Sequence, residues 1–245
     1  MARFWKHVNG VLREAELIIE VLDARMIQES RNPEIEKKIR LLEKKILYVV
    51  TKCDLVDANT LKKSMRELKP SVFISSKDKL GTTILKKKIM ELSHGETVTV
   101  GIVGYPNVGK SSLINALSGR SSARTSAESG FTKGIQKIKV GEKILVIDTP
   151  GVFAKEEKES MHLVKIGAVD YGRVRDPETA ALRLIEEQKK AICKFYGIKN
   201  LDDAEDILEQ IGLKLYLLVR KGQVNIEAAA RIVLRDWQLG KIKEQ

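Results

Sequence analysis

One stretch, GYPNVGKSS (104–112), limits what this chain can fold into more than any other. Gly104, Gly109, Lys110 and Ser111 have the spacing of a loop that wraps phosphate oxygens in backbone N–H groups. Such a loop works only between a strand and a helix N-terminus, whose field adds to the attraction. The apolar run TVTVGIV (97–103) precedes it and the helix-forming SLINALSG (112–119) follows. A nucleotide's phosphates are therefore expected among Gly104, Pro106, Asn107, Val108, Gly109, Lys110, Ser111 and Ser112. Lys110 would reach the β- and γ-phosphates, and the Ser111 hydroxyl would ligate Mg²⁺.

The surrounding pattern alternates strands with helices. AELIIEVLDAR (15–25), KILYVVTK (45–52), SVFISSK (71–77), TVTVGIVGYP (97–106) and KILVIDTPG (143–151) read as strands. NPEIEKKIRLLEK (32–44), NTLKKSMREL (59–68) and TTILKKKIMELSH (82–94) read as helices between them. GIQKIKVGEK (134–143) alternates and predicts a strand at the sheet edge. The fold class implied is α/β, a doubly wound and mostly parallel sheet. From Asp176 onward the pattern is helical only, with helices predicted over 176–197, 202–222 and 225–241. Two domains follow, a nucleotide-binding domain over 1–170 and a smaller all-helical domain over 171–245.

Two further segments bear on the site. LVIDTPG (145–151) places Asp148 at the end of an apolar strand, where an acid orients Mg²⁺, and Gly151 near the γ-phosphate. Thr132, in the polar loop SGFTKG (129–134), is the candidate for the remaining Mg²⁺ hydroxyl. TKCD (51–54) reads as a guanine-binding turn. Asp54 can accept from the N1 and N2 groups that guanine has and adenine lacks, and the Lys52 stem can lie against the ring. SSK (75–77) ends the next strand, so that Ser75, Ser76 and Lys77 face the same base, with the Ser76 N–H toward its carbonyl.

Net charge is +11 and uneven: residues 1–170 hold 30 Lys+Arg against 21 Asp+Glu, and residues 171–245 hold 14 against 12. The basic groups gather at 36–40, 43–45, 62–66 and 86–88, which points to a polyanion such as RNA. Binding is expected to respond to charge removal at Lys86, Lys87 and Lys88. The longest apolar runs are strand-sized, so no membrane partner is expected. Two cysteines, Cys53 and Cys193, form no metal or disulfide spacing and fit a reducing cytoplasm.

The order TKCD, SSK, GYPNVGKSS, SGFTKG, DTPG resembles the circularly permuted GTPases of the YlqF/YawG ribosome-assembly family. VLDAR (21–25) and SRNP (30–33) are similar to that family's N-terminal strand and loop. The permutation is tolerable because every nucleotide-binding loop lies at the carboxyl end of a parallel strand. Three departures stand out: Thr51 replaces the usual Asn, Ser129 replaces a proline, and the proline shortly after Asp-Ala-Arg is missing.

The resemblance implies a GTPase whose nucleotide state gates binding to ribosomal RNA or a large-subunit precursor during assembly. Alternatives are a nucleotide-gated protein adaptor and a GTPase partner of an RNA-modification enzyme. Val152 stands where many GTPases carry a water-orienting Gln, so slow intrinsic hydrolysis is expected. The resemblance suggests K⁺ held by Asn107 opposite the phosphates, with the N-terminal His7 as a second candidate. Lys110, Thr132 and Asn107 are thus the expected catalytic groups. Because the segment after Gly151 runs directly into the helical part, a switch there would move the helices as a lever.

Overall fold

The structure is a computed structural model that describes residues 2–78, 80–119, 136–148, 169–219 and 222–243. Backbone contacts divide the chain into two units, Met1–Lys158 and Glu159–Gln245.

In the first unit the strands are β1 (Leu17–Asp23), β2 (Lys45–Thr51), β3 (Ser71–Phe73), β4 (Val98–Val103), β5 (Gln136–Val140) and β6 (Ile144–Asp148). They form one sheet in the order β3-β2-β1-β4-β6-β5, all neighbours parallel except β5 with β6. The alternating edge strand falls at the edge, as its sequence requires. β1 is buried along its whole length, because helices cover both faces of a parallel sheet.

The helices of this unit are α1 (Ala2–Glu14), α2 (Pro33–Leu41), α3 (Ala58–Glu67), α4 (Thr82–Leu92) and α5 (Lys110–Ser118). Leu85 and Ile89 of α4 and Leu113, Ile114 and Leu117 of α5 pack with Ile19, Val21, Leu47 and Val100. The alternate residues of the strands point the other way. Ile18 meets Leu12 of α1 and Ile35 and Ile39 of α2, while Leu22 and Val50 lie with Leu61 of α3 and with Leu68.

Caps set the helix starts. Asn32 accepts from the N–H of Glu34 (3.1 Å) and of Ile35 (3.0 Å) just before Pro33, whose missing N–H costs nothing there. The strand expected over 71–77 is shorter than the apolar run. It ends at Phe73, and Ser75 then bridges to Leu80 across a tight turn.

The second unit holds α6 (Pro177–Tyr196), α7 (Ala204–Lys214) and α8 (Ile226–Gln238). Asp176, Asp203 and Asn225 cap their first turns, and Gly197 ends α6 in the left-handed region at φ 60°. The helix expected over 202–222 stops at Lys214. Tyr216 adopts φ 55°, the chain reverses, and Leu218 forms an antiparallel bridge with Val224. Gly212 makes this possible, because a Cβ there would sit 2.2 Å from Val224 Cγ1.

Candidate nucleotide-binding site

The direction of the chain reverses around β1: β2 and β3 lie on one side of it, β4 and β6 on the other. Ligands of open α/β sheets bind at such a switch point, beyond the carboxyl ends of the strands. The expected groups among the described residues gather there. Register places Asp23 beside Thr51 and Ile102 beside Asp148, so the ends of β1, β2, β4 and β6 come level in pairs.

The phosphate loop leaves β4 at Gly104, with φ 143°, where a Cβ would meet Val21 O of β1 at 2.7 Å. Only glycine fits that approach. Asn107 (φ 61°) and Gly109 (φ 103°) are also left-handed, curling the loop before α5 begins at Lys110. Pro106 and Val108 are buried beneath the curl, and Ser111 and Ser112 follow in the first turn of α5. The Lys110 ammonium lies inside the loop and donates to Gly104 O (2.9 Å) and Tyr105 O (2.5 Å). Burial pushes its pKa down to about 8, against the opposing pull of Asp148.

Asp148 ends β6 and is buried, and its Oδ1 has no hydrogen-bond partner. Burial pushes its carboxyl up to about 6, although the charge of Lys110 works against that. A buried, unpartnered carboxylate oxygen near the start of α5 suits a cation, and Asp148 with the Ser111 hydroxyl fits Mg²⁺ in ligand chemistry.

The base-reading side is built on the ends of β2 and β3. Thr51 Oγ1 lies 3.0 Å from Leu22 O and within hydrogen-bond reach of Val108 O, so its one proton ties β2 to β1 or to the phosphate loop. Lys52 is left-handed at φ 59°, and Asp54 follows in a single 3₁₀ turn, Cys53–Leu55. Ser75 Oγ donates to Asp54 Oδ1 (2.8 Å), which fixes the carboxylate that would face guanine. Ser76 Oγ is buried without a partner, and Lys77 is exposed at the mouth of this side.

Two buried acids escaped the reading of the sequence as site residues. Asp23, at the end of β1, pairs with Arg25 at 2.8 Å and with Lys52 at 2.6 Å. Burial alone would raise its pKa, but the two cations hold it well below the ordinary carboxylate range. Glu20, midway along β1, accepts from Asn32 N (2.8 Å), and Asn32 Nδ2 donates to Tyr105 OH at 3.3 Å. The signal for Asp23 was an acid ending an apolar run one strand away from Lys52. Thr132, Gly151 and Val152 lie outside the described residues; His7 falls within α1, and its side chain is outside them.

The RsgA GTPase family model matches residues 26–156, just over half of the chain. The model described as 50S ribosome-binding GTPase matches residues 99–219. An uncharacterised GTP-binding protein of Methanocaldococcus jannaschii is 37% identical, aligned over 97% of this chain and 65% of its own length. Nuclear/nucleolar GTPase 2 of Oryza sativa subsp. indica is 31% identical over 98% of this chain and 47% of its own. The chain thus spans between about half and two thirds of these curated relatives. Among solved structures, GNP-bound YlqF from T. maritima is 25% identical with a TM-score of 0.71, covering 99% of this chain and 96% of that one. The GDP-bound form matches at 24% identity and a TM-score of 0.72, which speaks for the shared fold.

Proposed function

Because the chain belongs to the circularly permuted GTPases of the RsgA type, we propose that it binds GTP, hydrolyses it slowly to GDP and phosphate, and uses its nucleotide state to gate binding to ribosomal RNA or a large-subunit precursor. The observation that carries this reading is the convergence, in permuted order, of a base-reading end and a phosphate loop at one switch point.

Asp54, braced by Ser75, accepts from guanine N1 and N2. Phosphate oxygens replace Gly104 O and Tyr105 O as partners of Lys110 when nucleotide enters, which restores a full neighbour for its charge. Ser111 and Asp148, with Thr132 as the further hydroxyl, would hold Mg²⁺, which would supply charge to offset that of the β- and γ-phosphates. Asn107 is the residue toward which K⁺ is assigned, and its left-handed backbone holds it at the crest of the loop. With Val152 at the water-orienting position, the chain has no side chain there to handle a proton, and slow turnover follows. The two domains, 1–170 and 171–245, are read as motor and lever.

Similarity to a 50S ribosome-binding GTPase family and to nucleolar GTPases supports a ribosomal partner over the other readings. Sedimentation of cell extract with GDP or a non-hydrolysable GTP analogue tests it. The protein should travel with the large-subunit particle in one nucleotide state and leave it in the other. Single-turnover hydrolysis should be faster in KCl than in NaCl and fastest with particles added. Equal sedimentation in both states, with equal rates in all conditions, would put the protein-adaptor reading ahead.

A further inference from the structure

The four basic clusters of the sequence do not share a surface. The α4 helix, with Lys86, Lys87 and Lys88, docks on the sheet face lined by Leu47 and Val49. The α2 and α3 helices dock on the opposite face, and Ile46 packs against the hydrophobic groups of both, so the two lie side by side.

No residue of α3 is buried. Its cap holds it instead: Asp57 accepts from Asn59 N (2.8 Å), Thr60 N (3.1 Å) and Thr60 Oγ1 (2.5 Å), while Leu61 is half-buried. The outward side of α3 carries Lys62, Lys63 and Arg66, and Lys69 follows it. Lys37 and Lys44 extend this set from the neighbouring α2 segment. None of these six side chains makes an ion pair or hydrogen bond among the described residues. Of the acids nearby, Glu36 is paired with Arg31 (2.7 Å) and Arg40 (3.5 Å) and Glu34 with Lys38 (4.0 Å), while Glu43 and Glu67 are exposed among the six cations, which still outnumber them. On α4, by contrast, Lys88 is paired with Glu91 at 2.8 Å, which leaves two cations, Lys86 and Lys87.

We propose that the α2–α3 face is the surface on which this protein takes the phosphate backbone of RNA, and that the α4 lysines lie outside it. The inference rests on the RNA reading of the function and assigns that partner a place. Basic side chains without ion-pair partners, with no aromatic anchor between them, suit a phosphate backbone. They suit an acidic protein poorly, since protein interfaces are depleted of lysine and built around buried aromatic anchors. Each phosphate contact releases close to one counterion, so six contacts give a steep salt dependence and two a shallow one.

The test uses the whole chain and large-subunit ribosomal RNA freed of protein, titrated over a KCl series. In K62E/K63E/R66E, the plot of log affinity against log salt should become shallower by about two to three, with K86E/K87E close to the unmodified chain. GDP affinity reports whether each variant is folded, and K62Q/K63Q/R66Q repeats the test with milder change should the reversal unfold the chain. Loss in K86E/K87E with α3 variants unaffected would overturn the assigned face and leave the RNA reading standing. Failure of the unmodified chain to bind RNA, or binding indifferent to salt, would overturn both.

Discussion

The ammonium of Lys52 lies 2.6 Å from Oδ2 of Asp23, so the base-reading loop after β2 is tied by charge to the end of β1. Arg25 reaches the same carboxylate at 2.8 Å, and both Asp23 and Arg25 are about 2% exposed. Asp23→Asn would leave two cations around a neutral group, one of them fully buried. Breaking such a pair costs about 3–5 kcal/mol. Urea unfolding should show that loss, and calorimetry should show weaker GDP binding as Lys52 loses its anchor. A midpoint unchanged from the unmodified protein would refute the pairing.

Asp54→Asn should exchange one nucleotide preference for another. Its carboxylate would meet two guanine donors, while an amide donates where guanine also donates. Each charge-assisted bond is worth roughly 1.5–3 kcal/mol, so GDP affinity should fall about 10- to 100-fold and xanthosine diphosphate should gain. Titration with both nucleotides decides it. Unchanged GDP affinity would remove Asp54 from the site.

Thr51 stands where the family carries Asn, and its hydroxyl links β2 to the phosphate loop through Val108 O. Thr51→Val keeps the shape and removes the proton. One carbonyl then loses its partner, a cost of about 1–2 kcal/mol in stability, with a matching loss in nucleotide affinity. A variant as stable as the parent, with full GDP affinity, would show that the brace is idle.

Glu20 predicts a pH dependence of stability. Burial is the main cause that pushes its carboxyl up to about 8. Asn32 N faces it and lowers that value, Glu36 of α2 raises it, and Arg31 lowers it; Tyr48 pairs with it in register on β2. The native state keeps a proton that the unfolded chain releases near the ordinary value of 4.5. Stability should therefore fall as pH rises from about 4.5 through 8, by on the order of 4 kcal/mol. In Glu20→Gln, which keeps the acceptor for Asn32 N, that fall should vanish. Denaturant midpoints across this range measure it, and parallel curves for the two proteins would refute it.

The parts of the site that were legible in the sequence are those whose chemistry is local. Gly104 through Ser112, Thr51 through Asp54 and the serines at 75 and 76 each announce themselves within a few residues. Asp23 and Glu20 did not, because their partners come from register: Asp23 meets Lys52, 29 positions later, only once the chain between them has folded. The stop of α7 at Lys214 was hidden for another reason. Apolar residues continue through Leu215, Leu217, Leu218 and Val219, and what ends the helix is Val224 returning to pack on Gly212. The sorting of charge onto two faces follows from chain path. β1, β2 and β3 step outward in one direction, while the crossover to β4 returns past β1, and right-handed connections put those helices on opposite sides.

The seam where Leu17–Glu20 pair with Val100–Val103 also has a meaning in time. A nascent chain completes β1, β2 and β3 well before β4 leaves the ribosome, and β1, an interior strand of the finished sheet, is until then an open edge. Its LIIEVLD sequence is apolar almost throughout, the kind of edge that recruits strands from other molecules. At ordinary synthesis rates the interval before β4 arrives lasts on the order of ten seconds. Glu20, ionised while that edge faces water, is then a charge planted in its middle, and it takes up its proton only as β4 closes over it.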